Sequence, residues 1–134
     1  IDQGAVKALI IAKVPRRILS GQIEIILAKK ISDKTNWRKM LLGKVDEVDF
    51  SFMRREMIEC IPQNLKQYAL YKEEIQSFIY PVEAVPGKIS SHNLDKESEY
   101  SAKLTGIKGQ YLIFKNRVIN MRKYSGYHIE FTFD

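Results

Sequence analysis

Residues 104–127 read LTGIKGQYLIFKNRVINMRKYSGY and hold the clearest strand signals of the chain. Within it, QYLIF (110–114) and RVINM (117–121) are apolar, β-branched and aromatic runs of strand length. Only Lys115-Asn116 separates them. A two-residue connection between such runs predicts an antiparallel hairpin, and Asn tolerates the positive φ that such turns favour. Gly106 and Gly109 interrupt the strand pattern just before the hairpin, where glycine marks a bulge or a close approach of another backbone. Outward from this stretch, IQSFIYPV (75–82), KISSHNL (88–94), YSAKLTGI (100–107) and HIEFTF (128–133) also alternate like strands. Six short strands within roughly 60 residues predict a small antiparallel sheet or barrel.

Upstream the period changes. Residues 5–14 form a strand-length apolar run that Pro15 ends. In residues 16–31, Leu19, Ile23, Ile26, Leu27 and Ile31 keep the spacing of one helix face. Lys29 and Lys30 suit the negative pole of that helix. Residues 32–43 predict a shorter helix, with Asp33 or Thr35 as its cap and Gly43 at its end. Residues 46–61 predict a third, with Phe50, Met53, Met57 and Ile61 as its core stripe and Pro62 as its stop. Residues 63–72 continue in helical character. The fold class expected is α+β: a partial α/β segment over residues 1–72, then an antiparallel β-barrel-like domain over 73–134.

Composition excludes several classes. No apolar run approaches the ~18–20 residues of a membrane span, so no membrane protein is expected. Cys60 is the single cysteine, which excludes a disulfide scaffold, and with two histidines it leaves too few soft ligands for a self-contained zinc site. The chain starts at Ile1 without a charged n-region or apolar h-region, so no targeting signal is read there and a cytoplasmic protein is expected. The net charge of +6 is unevenly spread. Residues 1–44 hold ten Lys/Arg against three Asp/Glu, residues 45–100 six against eleven, and residues 101–134 six against two. Basic ends around an acidic middle fit a DNA or RNA partner, because phosphate neutralisation releases counterions. The plain alternative is that these lysines keep the surface solvated.

Three groups of residues could carry chemistry. Glu24 sits mid-helix with Ser20, Gly21 and Ala28 around it, leaving room for Mg²⁺ or a phosphate, with Arg17 on the same face. Taken alone, a single helix carboxylate is more often solvated or paired. Lys34, Thr35, Asn36, Trp37, Arg38 and Lys39 place three cations, an amide and an indole at a helix start, a combination suited to phosphate contact and base stacking. Core packing of Trp37 beside Met40 and Leu41 is compatible with both readings. Lys108, between its two glycines, and Arg122 and Lys123, beside Tyr124 and Tyr127, could contact phosphates from a β surface. His92, His128 and Cys60 show no catalytic spacing, and Cys60 reads as a packing residue.

The runs IDQGA (1–5), DKTNWRKML (33–41), GIKGQYLIF (106–114) and NMRKYSGY (120–127) resemble an uncharacterised bacterial and archaeal domain-of-unknown-function family. The resemblance covers nearly the whole chain. The N-terminal half of that family resembles the GIY-YIG nuclease fold. The resemblance implies that residues 5–14 match its third strand, that Glu24 matches its metal-binding glutamate, and that Asn36 matches a following polar residue. Its tyrosine hairpin and arginine helix belong before Ile1. Without them a general base and a charge partner for the transition state are missing. Mg²⁺-dependent cleavage is therefore implied only for a longer chain, and binding without cleavage for this one. A structural or protein-interaction module is the competing expectation, with the acidic residues of the middle segment as a docking surface. An open sheet edge would then pair two copies as a homodimer.

Overall fold

The computed structural model describes every residue except Ile1, Asp33, Val45, Pro86, Phe133 and Asp134. It is an α+β protein. In chain order the elements are β1 (Lys7–Ala8), α1 (Arg17–Leu27), α2 (Trp37–Leu41), α3 (Phe50–Glu59), a 3₁₀ helix (Gln63–Tyr68), β2 (Gln76–Ser77), β3 (Ser90–Ser91), β4 (Leu104–Lys108), β5 (Tyr111–Phe114), β6 (Arg117–Asn120) and a 3₁₀ turn (Met121–Tyr124).

The chain folds as two compact units that interleave in sequence. One comprises residues 5–36 and 45–78, the other residues 1–4, 37–44 and 79–134. The boundary expected near residue 72 does not separate these units: α2 groups with the C-terminal strands because Met40 and Leu41 enter their core.

In the first unit, Ile23 of α1 packs with Ile58, Ile61 and Leu65. α3 starts at Phe50 rather than at residue 46 because Asp49 caps it: its Oδ1 accepts from the N–H groups of Ser51 (2.9 Å) and Phe52 (3.0 Å). The expected stripe omits Ile58, which is only 1% exposed. α1 ends at Leu27, four residues before the apolar stripe does, where Lys30 N–H turns back to Leu27 C=O at 2.8 Å. Lys29 and Lys30 therefore follow the helix. The strand expected over residues 5–14 reduces to β1 paired antiparallel with β2, plus an isolated bridge between Ala12 and Ala69.

The second unit holds a four-stranded sheet in the order β3-β6-β5-β4. β4, β5 and β6 are antiparallel as expected, but β3 joins β6 in parallel. β3 and β4 end the sheet, so the described strands form an open sheet and not a closed barrel. Residues 128–132 form no strand despite their alternation. The β5–β6 turn is Lys115-Asn116, yet no non-glycine residue among those described has positive φ, so Asn116 does not use its tolerance. The β4–β5 turn is Gly109-Gln110, with positive φ at Gly109 alone (+56°), the φ pattern of a Gly-first hairpin turn. α2 closes in a Schellman motif: Gly43 has φ +67°, its N–H reaches Met40 C=O (3.2 Å), and Lys44 N–H reaches Lys39 C=O (2.9 Å). Asp33, one of the two expected caps of α2, lies outside the described residues.

Candidate functional site

The first unit carries the residues with the most open chemistry. Lys13, Arg16, Arg17, Lys29, Lys30 and Lys34 are all exposed, and none forms an ion pair among the described residues. Glu24 is the one described carboxylate between residues 5 and 36. The cations cluster at both ends of α1 because its middle is given over to the stripe that packs on Ile58 and Leu65. Beside them lies a groove of about 450 Å³ between residues 10–14 and α1, with an apolar lining that Ser20, Glu24 and Ser32 interrupt.

Glu24 is exposed on this groove. Among the described residues no three His, Cys, Asp or Glu side chains gather to hold a metal. A Mg²⁺ ion here would take one ligand from the protein and the rest from water or a phosphate. That donor set does not make a resident metal site. Lys34 is exposed in the same unit, and Asn36, also exposed, already has an interaction within the chain.

The other expected residues belong to the second unit, where three of the motif runs meet. Gly109 comes so close to the N-terminal segment that a Cβ on it would lie 2.4 Å from Asp2 O and 2.6 Å from Gly4 N. Gln110 N–H donates to Asp2 C=O at 2.8 Å. Gly4 in turn lies against Met40. Trp37 stacks on Tyr111 at 5.8 Å between centroids, and the exposed Arg38 guanidinium covers Trp37 at 4.3 Å.

Lys108 points inward. It is 9% exposed, and its Nζ donates to Met40 C=O at 2.8 Å, at the C-terminal end of α2 where carbonyls need donors. Burial pushes its ammonium below the ordinary lysine value. This geometry removes Lys108 from the expected phosphate contacts. The unfolded chain holds the Lys108 proton to higher pH than the folded chain does. Stability contributed at this site therefore rises as pH climbs from neutrality toward the ordinary lysine value. Denaturation of wild type and Lys108→Met in parallel should show their stability difference moving in favour of wild type over that range. A flat difference would contradict the burial of the charge.

Lys123 is engaged too. Its Nζ donates to Asp95 Oδ2 (2.9 Å) and Asn93 Oδ1 (3.0 Å), and Tyr127 OH donates to Asp95 Oδ1 (2.9 Å). The hydrogen bond to Asp95 holds Lys123 above its ordinary value and, reciprocally, Asp95 below its own. Tyr124, 3% exposed, accepts from Leu94 N–H at 2.9 Å. The run NMRKYSGY thus latches the 93–97 turn onto the sheet. Tyr124→Phe should cost about 1–3 kcal/mol, since it leaves the Leu94 donor without its acceptor. A urea midpoint unchanged from wild type would refute that role. Arg122 stays exposed, with no partner for its guanidinium among the described residues.

One polar cluster escaped the sequence reading. His92, 3% exposed, places Nδ1 3.1 Å from Arg117 Nη1 and Nε2 3.0 Å from Glu97 C=O. Arg117 also donates to Glu97 Oε2 at 3.0 Å. A guanidinium can only donate, so Nδ1 accepts and Nε2 carries the proton. Tyr100 covers the imidazole at 4.6 Å. With every polar atom of the ring engaged, the cluster is a structural tie between β3, β6 and the turn. Strand alternation in KISSHNL gave no signal for this, since His92 has the opposite parity to Ile89, which packs on the core.

Fold and surface together define a two-unit α+β protein whose first unit exposes cations at both ends of α1, without ion pairs among the described residues, beside an apolar groove. The chain belongs to the family described as Protein of unknown function (DUF2797), whose model matches residues 1–129. Neither the curated proteins nor the solved structures contain a match to it. Among the described residues no helix is long and apolar enough to cross a membrane.

Proposed function

We propose that the protein binds nucleic acid through the exposed cations of its first unit, with Lys13, Arg16, Arg17, Lys29, Lys30 and Lys34 as the phosphate contacts. The observation that carries this reading is six exposed cations within 22 residues, with Glu24 as the one described carboxylate among them. Exposed like charges that form no ion pair among the described residues repel one another, and a polyanion relieves that repulsion while releasing its own counterions. Arg38 and Arg122 are further exposed cations of the second unit, available as secondary contacts. Lys108 and Lys123, engaged with Met40 and Asp95, are not assigned to binding.

A GIY-YIG-like cleavage centred on Glu24 and Asn36 lacks support from the residues present. Glu24 supplies one ligand, and among the described residues no neighbouring group is placed as a general base. Binding without cleavage is the reading retained. Fluorescence anisotropy with labelled DNA and RNA, single- and double-stranded, tests it. Binding is expected at low salt, weakened about tenfold or more by Lys29→Gln/Lys30→Gln/Lys34→Gln, whose sites are exposed and leave the core intact. Absence of binding at low salt, or equal affinity of the triple variant, would refute the proposal.

A further inference from the structure

Two features of the chain complement each other. The first is an open strand edge. Lys13 N–H donates to Tyr68 C=O (3.0 Å) and Leu70 N–H to Ile11 C=O (2.8 Å), so Ala12 and Ala69 form a non-hydrogen-bonded antiparallel pair. The N–H and C=O of Ala12 therefore point away from that partner, and neither makes a hydrogen bond among the described residues. The apolar groove lies alongside, lined by Ile10, Ala12 and Val14 and by Ile23 and Leu27 of α1. The second feature is the segment 128–132, HIEFT. It alternates like a strand, makes no backbone hydrogen bond among the described residues, and leaves Phe131 56% exposed.

We infer that the segment 128–132 of a second copy adds as a strand to the Ile10–Val14 edge, with Ile129 and Phe131 seated in the groove. Strand addition supplies the partner that Ala12 lacks, and alternate side chains provide the specificity. Charge favours this occupant: the segment carries Glu130 and no Lys or Arg, while Lys13, Arg16 and Arg17 and then Lys29 and Lys30 flank the lining segments in sequence. Exchange of the same segment in both directions closes a two-fold dimer. The inference is independent of nucleic-acid binding.

Sedimentation equilibrium of the full chain across a micromolar series, without nucleic acid, tests it. The mass is expected to rise from 15.6 kDa toward twice that value. Phe131→Ser alters an exposed side chain, and Ala12→Pro removes the outward-facing N–H without taking a donor from the pairing with residues 68–70. Each should weaken the dimer about tenfold or more, with circular dichroism confirming a folded chain. Phe131→Ser alone suffices as the test where Ala12→Pro fails to fold. A monomer at every concentration, or a dimer that Phe131→Ser leaves at wild-type affinity, would overturn the inference.

Discussion

Gly109→Ala is expected to destabilise the second unit by about 3 kcal/mol or more. Two costs combine. At φ +56° a side chain brings about 1–2 kcal/mol of left-handed strain. The added methyl would also stand 2.4 Å from Asp2 O and 2.6 Å from Gly4 N, and both are backbone atoms that cannot swing aside as a side chain could. Moving them breaks the hydrogen bond from Gln110 N–H to Asp2 C=O, worth about 1 kcal/mol, and disturbs Gly4 against Met40. Urea denaturation followed by the fluorescence of Trp37, which stacks on the neighbouring Tyr111, reads the effect directly. Gly87→Ala is the control, because nothing lies within 4 Å of its Cβ position and its φ is not in the left-handed region. Equal midpoints for the two variants would contradict the close approach of the N-terminal segment.

Ile113→Ala is expected to cost about 2–5 kcal/mol. Ile113 is 0% exposed on β5, between β4 and β6, and it packs with Met40, Leu41, Tyr111 and Val118. Neighbours on both sides of β5 are held by the ladders, so the cavity cannot collapse and the lost contacts are not recovered. Ile107→Ala, 41% exposed on β4, should cost far less. A loss under about 1 kcal/mol for Ile113→Ala would show that this sheet is not the core of its unit.

Local pattern revealed elements more readily than it revealed partners. The hairpin, the three helices and the Gly43 cap were legible because each depends on residues a few positions apart. Strand lengths and the parallel β3–β6 pairing were not, since they depend on which distant segment lies alongside. The same distinction runs through the site residues. A lysine between two glycines reads as a cation offered to a ligand, but Lys108 meets a carbonyl 68 residues earlier. Lys123 meets Asp95, 28 residues away. His92 lacked a catalytic neighbour in sequence, and its partners, Arg117 and Glu97, come together only through the β3–β6 pairing. By contrast, the basic character of residues 13–34 was legible because it is a sum of charges, six Lys/Arg against Glu24 and Asp33. Which of those cations stay unpaired required the fold.

Contact of the first unit's exposed cations with phosphates is read by plotting the logarithm of the binding constant for a labelled oligonucleotide against the logarithm of salt concentration. With four to six phosphate contacts the slope should be about −3 to −5. The variant Lys29→Gln/Lys30→Gln/Lys34→Gln should flatten it by about 2–3, while Glu24→Gln leaves it unchanged. A slope near zero, or one that the triple substitution does not alter, would contradict the account.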